Sequence, residues 1–381
     1  MLGGTPDGVP PRPPSTRLRA LGLLLVLALA ACATLPEKTF SVPDATEVDQ
    51  TLLLIGDAGA PNPKGEPALQ ALAKQAALAP ERTTVIFLGD NIYPDGMPGE
   101  RSPARKRAEQ ILDAQIAVCK SGCKVYFVPG NHDWARWSAQ GWGAIRRQAA
   151  YLSAHGGKLL PTDGEPGPDI VDVGAKVRLL FLDTQWWLHG YEKPKHLEDE
   201  VRKAIDQALE TAGDREVVVL SHHPMFTAGY HAGYMGWKAH VFPLLQIAPW
   251  LWLPMPLIGS IYPISRKWGV TTQDVTSSTY KHLIDVMAKT VKGKPMLWAG
   301  GHEHNLQLHK GPPAKYQLVS GAGIYGGTSP IYGAKLPTTI FRSTLCGFGR
   351  LDVLKDGKAR LGIRVVEQSG DSKEAFSTWL E

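Results

Sequence analysis

Cysteine is scarce in this chain, with four residues in 381. That excludes a disulfide-dense scaffold, and it makes a thiolate zinc site the weaker reading, because Cys119 and Cys123 have no second pair at zinc-ligand spacing. In an oxidising compartment the two cysteines of "CKSGC" could close a small disulfide, which leaves Cys346 unpaired. An excess of one charge is missing as well: 41 Lys and Arg face 36 Asp and Glu, and no basic run interleaves with aromatics. No nucleic-acid partner is expected. Internal repeats and low-complexity segments are absent, which rules out solenoid or fibrous architectures. What remains, at 43% hydrophobic and 20% charged residues, is an ordinary globular chain long enough to bury a large core.

The N-terminus carries a targeting signal. Arg17 and Arg19 precede an apolar run from Ala20 to Ala31 that is too short to span a bilayer, so it reads as a signal peptide. The run closes on "LAAC", Leu29 to Cys32, which resembles the lipobox of bacterial lipoproteins, whose cysteine is lipidated and becomes the new N-terminus. The resemblance implies a bacterial cell-envelope protein, membrane-anchored through its lipid and facing the periplasm or the exterior. A soluble secreted protein with an incidental Cys32 is the alternative. No paired arginines precede the run, so metal loading after export is expected. Removal of residues 1–32 takes away Arg12, Arg17, Arg19 and Asp7 and lowers the formal charge of +5 by two. Residues 33–48, polar and with Pro36 and Pro43, read as a tether, and residues 49–381 as the domain.

Within that domain, short aliphatic runs alternate with helical patterns. Residues 51–55, 83–88, 124–128, 177–182, 216–220 and 294–299 have the length and composition of buried strands. Helical spacing shows in Ala68 to Leu78, Ala104 to Val118, and Leu197, Val201, Ile205 and Leu209. The C-terminal runs "YQLVSGAG", "GFGRLDVL" and "ARLGIRVVE" read as further strands without helices.

Chemistry follows five of these strands. After "LLLI" comes Asp57, after "IFL" Asp90 and Asn91, after "YFV" Asn131, His132 and Asp133, after "VVVL" His222 and His223, and after "LWA" His302, Glu303 and His304. Carboxyl ends of strands in an α/β sheet converge on one crevice, so these distant side chains can meet. Each taken singly has a bland reading as a turn or cap. The set suits two metal ions held about 3.5–4 Å apart, which clamp the attacking and leaving oxygens of a phosphoryl displacement. Asp90 has the two oxygens a bridge needs. His302 and His304 lie two apart on an extended segment, one for each ion, and Asn131 offers a neutral oxygen that keeps the site's charge low. Asp133 is expected to orient His132.

"GDAG", "GDN", "GNHD", "SHHP" and "GHEHN" occur in the order and setting of the calcineurin-like metallophosphoesterases, and the chain resembles that superfamily over most of residues 51–310. Tyr93, three places after Asp90 in "GDNIY", and His231, nine places after His222, resemble the purple acid phosphatase branch. The resemblance implies an α/β (α+β) fold, a two-sheet β-sandwich flanked by helices in four αββα layers. It implies a first ion on Asp57, Asp90, Tyr93 and His304, and a second on Asp90, Asn131, His222 and His302. His132 and His231 match the family's catalytic histidines, which contact phosphate and protonate the leaving oxygen. His223, His189 and His240 are taken as structural.

The expected reaction is hydrolysis of a phosphomonoester, on a small molecule or a protein, by hydroxide activated at the dinuclear centre, with Fe(III) and a divalent Fe, Zn or Mn as cofactors. A phosphodiesterase or nucleotidase on the same site, and a non-catalytic metal-stabilised envelope lipoprotein, are the alternatives. The resemblance breaks between Tyr234 and Asp274, an insertion rich in Trp and Pro whose prolines argue against a transmembrane helix. It reads as core packing or a lid, since large apolar segments are usually buried, with a membrane-touching loop as the third reading.

Overall fold

A computed structural model describes residues 39–136, 138–189, 195–246, 248 and 250–381. Cys32 and residues 33–38 of the presumed tether therefore lie outside the described residues. The strands in chain order are β1 (Val48–Ile55), β2 (Thr83–Phe87), β3 (Lys124–Phe127), β4 (Lys158–Leu159), β5 (Asp169–Val173), β6 (Val177–Phe181), β7 (Glu216–Leu220), β8 (Leu297–Gly300), β9 (Leu306–Lys310), β10 (Tyr316–Ser320), β11 (Thr339–Ser343), β12 (Gly347–Leu354), β13 (Ala359–Val366) and β14 (Ser372–Leu380). The helices are α1 (Pro67–Ala76), α2 (Arg105–Ile116), α3 (Gly141–Ala154), α4 (Thr184–Leu188), α5 (Lys195–Glu210), α6 (Trp237–Val241), α7 (Ile258–Lys267) and α8 (Ser278–Val291).

Two seven-stranded mixed sheets result, ordered β14-β13-β12-β1-β2-β3-β4 and β11-β9-β10-β8-β7-β6-β5. Side chains alternate across each sheet, and the alternation builds the layers. Leu52, Leu54 and Ile86 point inward to meet Leu179, Phe181, Val218 and Leu220 of the second sheet. Leu53, Ile55, Val85 and Phe87 point outward onto Leu72, Ile111, Leu112 and Leu152 from α1, α2 and α3. On the far side Leu180, Val217, Val219 and Trp298 meet Ile205 of α5 and Leu283 and Met287 of α8. The four αββα layers expected from the resemblance are present.

Local chemistry sets the helix ends. α1 begins with Glu66 accepting from the Ala68 N–H and Pro67 in the first turn. α8 begins with Ser277 accepting from the Tyr280 N–H. The helical patterns at Ala68 to Leu78, Ala104 to Val118 and Leu197 to Leu209 correspond to α1, α2 and α5. Strands β5, β9, β11 and β14 and helices α3 and α8 lie outside the segments anticipated from sequence. Cys119 and Cys123 are disulfide-bonded, and Cys346 is buried and free, its thiol pushed up to about 12 by burial and the nearby Glu66 carboxylate.

Near the tether's end, the Phe40 N–H donates to Ser377 Oγ of β14 (2.7 Å), so this part of residues 33–48 is tied to the sheet. The larger departure is the insertion. Trp250 is 77% exposed, Leu257 86% and Trp268 77%. The expectation of core packing fails, because hydropathy marks a segment as apolar without saying which way it faces.

Candidate dinuclear metal centre

Strands β1, β2 and β3 run parallel in one sheet, and β7 and β8 run parallel in the other. Their C-terminal ends meet at one end of the sandwich, where Asp57 N donates to Gly89 O (2.9 Å) and Gly301 N donates to His222 O (2.8 Å). The turns are tight. Asp57, Asp90 and His302 adopt left-handed backbone conformations, with φ of 57°, 53° and 68°. Such conformations are uncommon for residues with a Cβ, and their coincidence with the expected ligands marks strain held at a functional site. Gly130 has no substitute, because a Cβ there would lie 2.3 Å from both Asp90 N and Asp90 Oδ1.

The side chains gather into two groups that share Asp90. In the first, Tyr93 OH lies 3.1 Å from Asp57 Oδ1, 3.0 Å from Asp90 Oδ2 and 3.1 Å from His304 Nε2. In the second, Asn131 Oδ1 lies 3.0 Å from His222 Nε2 and 3.0 Å from His302 Nδ1, and those two nitrogens are 3.3 Å apart. Asp90 presents its other oxygen, Oδ1, to His222 Nε2 at 3.5 Å. Ligand atoms ~2.1 Å from a common ion sit roughly 3.0–3.4 Å apart. The spacing matches.

Proton bookkeeping tests the fit to a cation. His222 Nδ1 faces Leu88 O at 2.8 Å, His302 Nε2 faces Gln273 O at 3.1 Å, and His304 Nδ1 faces Gly327 O at 3.3 Å. A carbonyl oxygen only accepts, so each of these nitrogens carries the ring proton. In the first group the Tyr93 hydroxyl donates to the Asp57 and Asp90 carboxylates, whereas in the second the opposite nitrogens of His222 and His302 then aim lone pairs at Asn131 Oδ1 and at one another. A hollow lined by acceptors facing acceptors is repulsive unless positive charge fills it. Asp57, Asp90 and His222 indeed form a candidate metal-ligand group.

The electrostatics agree. Burial pulls His304 down, but the Asp57 carboxylate outweighs it and the ring is pushed up to about 9. Burial likewise lowers His222, while Asp90 and Asp57 raise it above the ordinary value. Burial and the surrounding carboxylates push Tyr93 well above the usual phenol range. Burial together with the imidazoles of His231, His223 and His222 holds His302 well below its ordinary value, so the rises at His222 and His304 come from the carboxylates that face them.

Around these groups sits a layer that the sequence did not reveal. Glu303, between the two motif histidines, accepts from the backbone N–H groups of Tyr230 (3.1 Å) and His231 (2.6 Å). Arg266 of α7 donates through Nη2 to His231 Nδ1 (3.0 Å) and through Nε to both carboxylate oxygens of Asp274 (2.7 and 2.6 Å). That leaves His231 Nε2 as the nitrogen with a proton to give. His132 is fixed by Nδ1 donating to Pro94 O (2.6 Å).

The expectation that Asp133 orients His132 is not met. The Asp133 carboxylate instead accepts from the backbone of Gly130 (2.8 Å), Asn91 (3.0 Å) and Ile92 (3.2 Å), and so clamps the turn of Asp90 to that of Asn131. His223 is structural as expected, with Nδ1 on Thr184 Oγ1 and Nε2 on Gln273 Oε1, both at 2.9 Å. Although it stands beside His222 and His302, both its ring nitrogens are engaged. His189 and His240 bind Gln185 O and Ser260 Oγ, away from the two groups.

The family described as calcineurin-like phosphoesterase matches residues 51–247, just over half of the chain. Purple acid phosphatase 3 of Arabidopsis thaliana is 22% identical over 240 residues, and the match spans 58% of this chain and 61% of that relative's length. Among solved structures, GAP50, the anchor in the inner membrane complex of Plasmodium, is similar with a TM-score of 0.55 at 16% identity, covering 88% of this chain and 89% of its own. A purple acid phosphatase isolated from yellow lupin (Lupinus luteus) seeds is similar with a TM-score of 0.54 at 15% identity, covering 86% and 53%.

Proposed function

We propose that this chain, which belongs to the calcineurin-like phosphoesterase family, is a metal-dependent phosphatase that hydrolyses phosphomonoesters. One observation carries the reading: Asp57, Asp90, Tyr93 and His304 on one side, and Asn131, His222 and His302 on the other, converge at ligand spacing in two groups that share Asp90. Asp57, Asp90, Tyr93 and His304 would hold one ion, and Asp90, Asn131, His222 and His302 the other. Bound there, the ions supply Lewis-acid polarisation of the ester and make hydroxide available near neutral pH.

The chain's own residues do the rest. Half-buried His132 and His231 flank the metal groups, His132 through Asp90 (3.9 Å) and His231 over the His302 ring (centroids 3.8 Å). His231, whose Nδ1 accepts from Arg266, keeps an Nε2 proton to donate to a phosphate oxygen or to the leaving oxygen. His132 Nε2, freed because Nδ1 is committed to Pro94 O, accepts from the substrate side. Tyr93, pressed against two carboxylates, favours Fe(III) in the first site, since only a strongly polarising ion readily displaces a phenol proton. The second ion is a divalent Fe, Zn or Mn.

A non-catalytic reading is the weaker one. GAP50, similar in fold, is the anchor in the inner membrane complex of Plasmodium. A purely structural metal site, however, has no use for His132 and His231 beside it. A diesterase or nucleotidase would share the metal groups and differ only in what the pocket admits. Export and anchoring through Cys32 in a bacterial envelope are part of the proposal and rest on the signal sequence and "LAAC".

The test is turnover of p-nitrophenyl phosphate and of bis(p-nitrophenyl) phosphate by metal-analysed protein, beside Asp90→Asn. Monoester turnover that disappears in the variant, with the fold retained by circular dichroism, is expected. Full activity in a metal-replete Asp90→Asn protein would sink the two-ion reading.

A further inference from the structure

Helix α7 is built inside out. Gly259, Pro263 and Arg266 face the protein, and Gly259 approaches so closely that a Cβ would lie 2.3 Å from His240 O. Leu257, Ile258, Ile261 and Ile264 face solvent instead. Trp237, Trp250, Trp252 and Trp268 extend the same surface, each more than half exposed. An exposed patch of this kind marks an interaction site.

Its composition selects a partner. From Tyr234 to Gln273 there is no Asp or Glu, while Lys238 and Lys267 are basic and exposed; Arg266 is buried and paired with Asp274. Tryptophan and tyrosine beside lysine, over branched aliphatic tips, is the composition that settles at the headgroup level of a bilayer, and the one-signed charge complements anionic lipid.

The chain's entry point lies on the same edge of the molecule. Phe40 is bonded to Ser377 of β14, and the adjacent Phe376 stacks on Phe341 of β11 with centroids 5.2 Å apart. Beside Phe341, Arg342 donates to Gly333 O (2.7 Å), and Gly333 N donates to Ala228 O (2.9 Å) at the root of the insertion. Eight residue steps from Cys32 to Phe40 reach at most ~30 Å. A lipid on Cys32 would therefore hold this edge near the bilayer.

The patch is also the rim of the metal site. Arg266 bonds His231, and Tyr262 OH lies 3.1 Å from Tyr230 OH, next to it. We propose that the exposed surface of α7 and its flanking tryptophans docks into an anionic phospholipid surface and presents the metal site to phosphomonoesters carried on lipid. The docking stands on the patch itself, and the substrate part rests on the phosphatase reading above.

All strands and all three apolar clusters among the described residues lie within Val48–Leu380, so a chain beginning at Thr39 keeps both sheets whole and lacks the lipid attachment. That protein is mixed with vesicles of phosphatidylcholine and phosphatidylglycerol in equal parts, with or without phosphatidic acid, and sedimented. The expected result is co-sedimentation with a blue-shifted tryptophan emission, weaker on phosphatidylcholine alone. Trp250→Ser/Trp252→Ser/Trp268→Ser, and separately Leu257→Asp/Ile261→Asp, should each lower vesicle partition at least tenfold. Both should lose hydrolysis of vesicle-borne phosphatidic acid while turning over p-nitrophenyl phosphate within about twofold of the parent.

A parent protein that stays in the supernatant overturns the docking, as do variants that bind as the parent does. A concentration-dependent dimer that the tryptophan variant loses, without vesicle binding, would assign the patch to a second copy of the chain. Sedimentation is scored without turnover, so the two readings fail separately: a protein that binds vesicles and hydrolyses neither ester sinks the phosphatase alone.

Discussion

Asp274→Leu leaves the Arg266 guanidinium without its carboxylate in a place where water cannot replace it. The two side chains are 10% and 0% exposed, and the guanidinium also stacks 4.7 Å from the centre of the Tyr230 ring and donates to Tyr262 OH at 3.0 Å. Breaking a buried pair by removing one partner costs about 3–5 kcal/mol, because the surviving charge keeps its desolvation penalty. At about 2 °C per kcal/mol for a chain of this length, the melting temperature should drop by roughly 6–10 °C. Arg266→Met should cost a similar amount by stranding Asp274. The double variant Arg266→Met/Asp274→Leu should recover most of the stability, since an apolar pair of like volume is often neutral in place of a buried ion pair. Turnover should not recover with it. Without Arg266, His231 loses the donor that fixes its ring, and kcat should fall by about 10²-fold, in the range of a lost general acid. Urea denaturation and steady-state kinetics on the four proteins of the cycle read both quantities. A single variant that loses under ~1 kcal/mol would refute the buried-pair reasoning, and a double variant restored in both stability and kcat would show that Arg266 does not position His231.

Other expectations follow from single groups. Iron-loaded protein should be coloured by a phenolate-to-iron band that disappears in Tyr93→Phe; an unchanged visible spectrum in the iron-loaded variant would remove Tyr93 from the metal shell. Buried Asp183, which accepts from Trp134 Nε1 (2.8 Å) and Trp186 N (3.1 Å), is pushed up to about 7 by its burial. The folded state then holds this proton more tightly than the unfolded chain, so stability should fall as pH rises from about 4 to about 7, by on the order of 4 kcal/mol. Asp183→Asn should flatten that part of the Tm–pH curve, and an unaltered slope would contradict it. Cys32→Ser should shift the full chain from the membrane to the soluble fraction, or stall its processing, in a fractionation experiment; unchanged attachment and processing would remove the lipid anchor.

Much of this site was legible because its information is local. A strand declares itself by a short aliphatic run, and the residue that follows it declares its chemistry, so Asp57, Asp90, Asn131, His222 and His302 could be listed before any coordinates. Their convergence followed from the rule that parallel strands present their carboxyl ends together. Other features have no local signature. Strand β14 pairs with its neighbour β13, yet it mixes buried and half-exposed positions that give no clear alternation. The left-handed turns at Asp57, Asp90 and His302 are uncommon for residues with a Cβ, even for Asp and His, which adopt them more readily than most, and nothing in the local sequence announces them. Asp133 looked like a partner for His132 because it is next to it in sequence, whereas the turn geometry points its carboxylate at three backbone N–H groups. The insertion shows the limit most clearly. Its hydropathy and helical period are the same whether α7 turns its apolar stripe inward or outward, and Gly259, with room only for a hydrogen against His240 O, together with the buried Arg266–Asp274 pair, turned it outward. Sequence determined which side chains could bind metal and which segment was apolar, because composition is a property of the chain. Only the tertiary structure decided which lone pairs face one another and which surfaces face solvent, because both depend on contacts between residues that the chain keeps far apart.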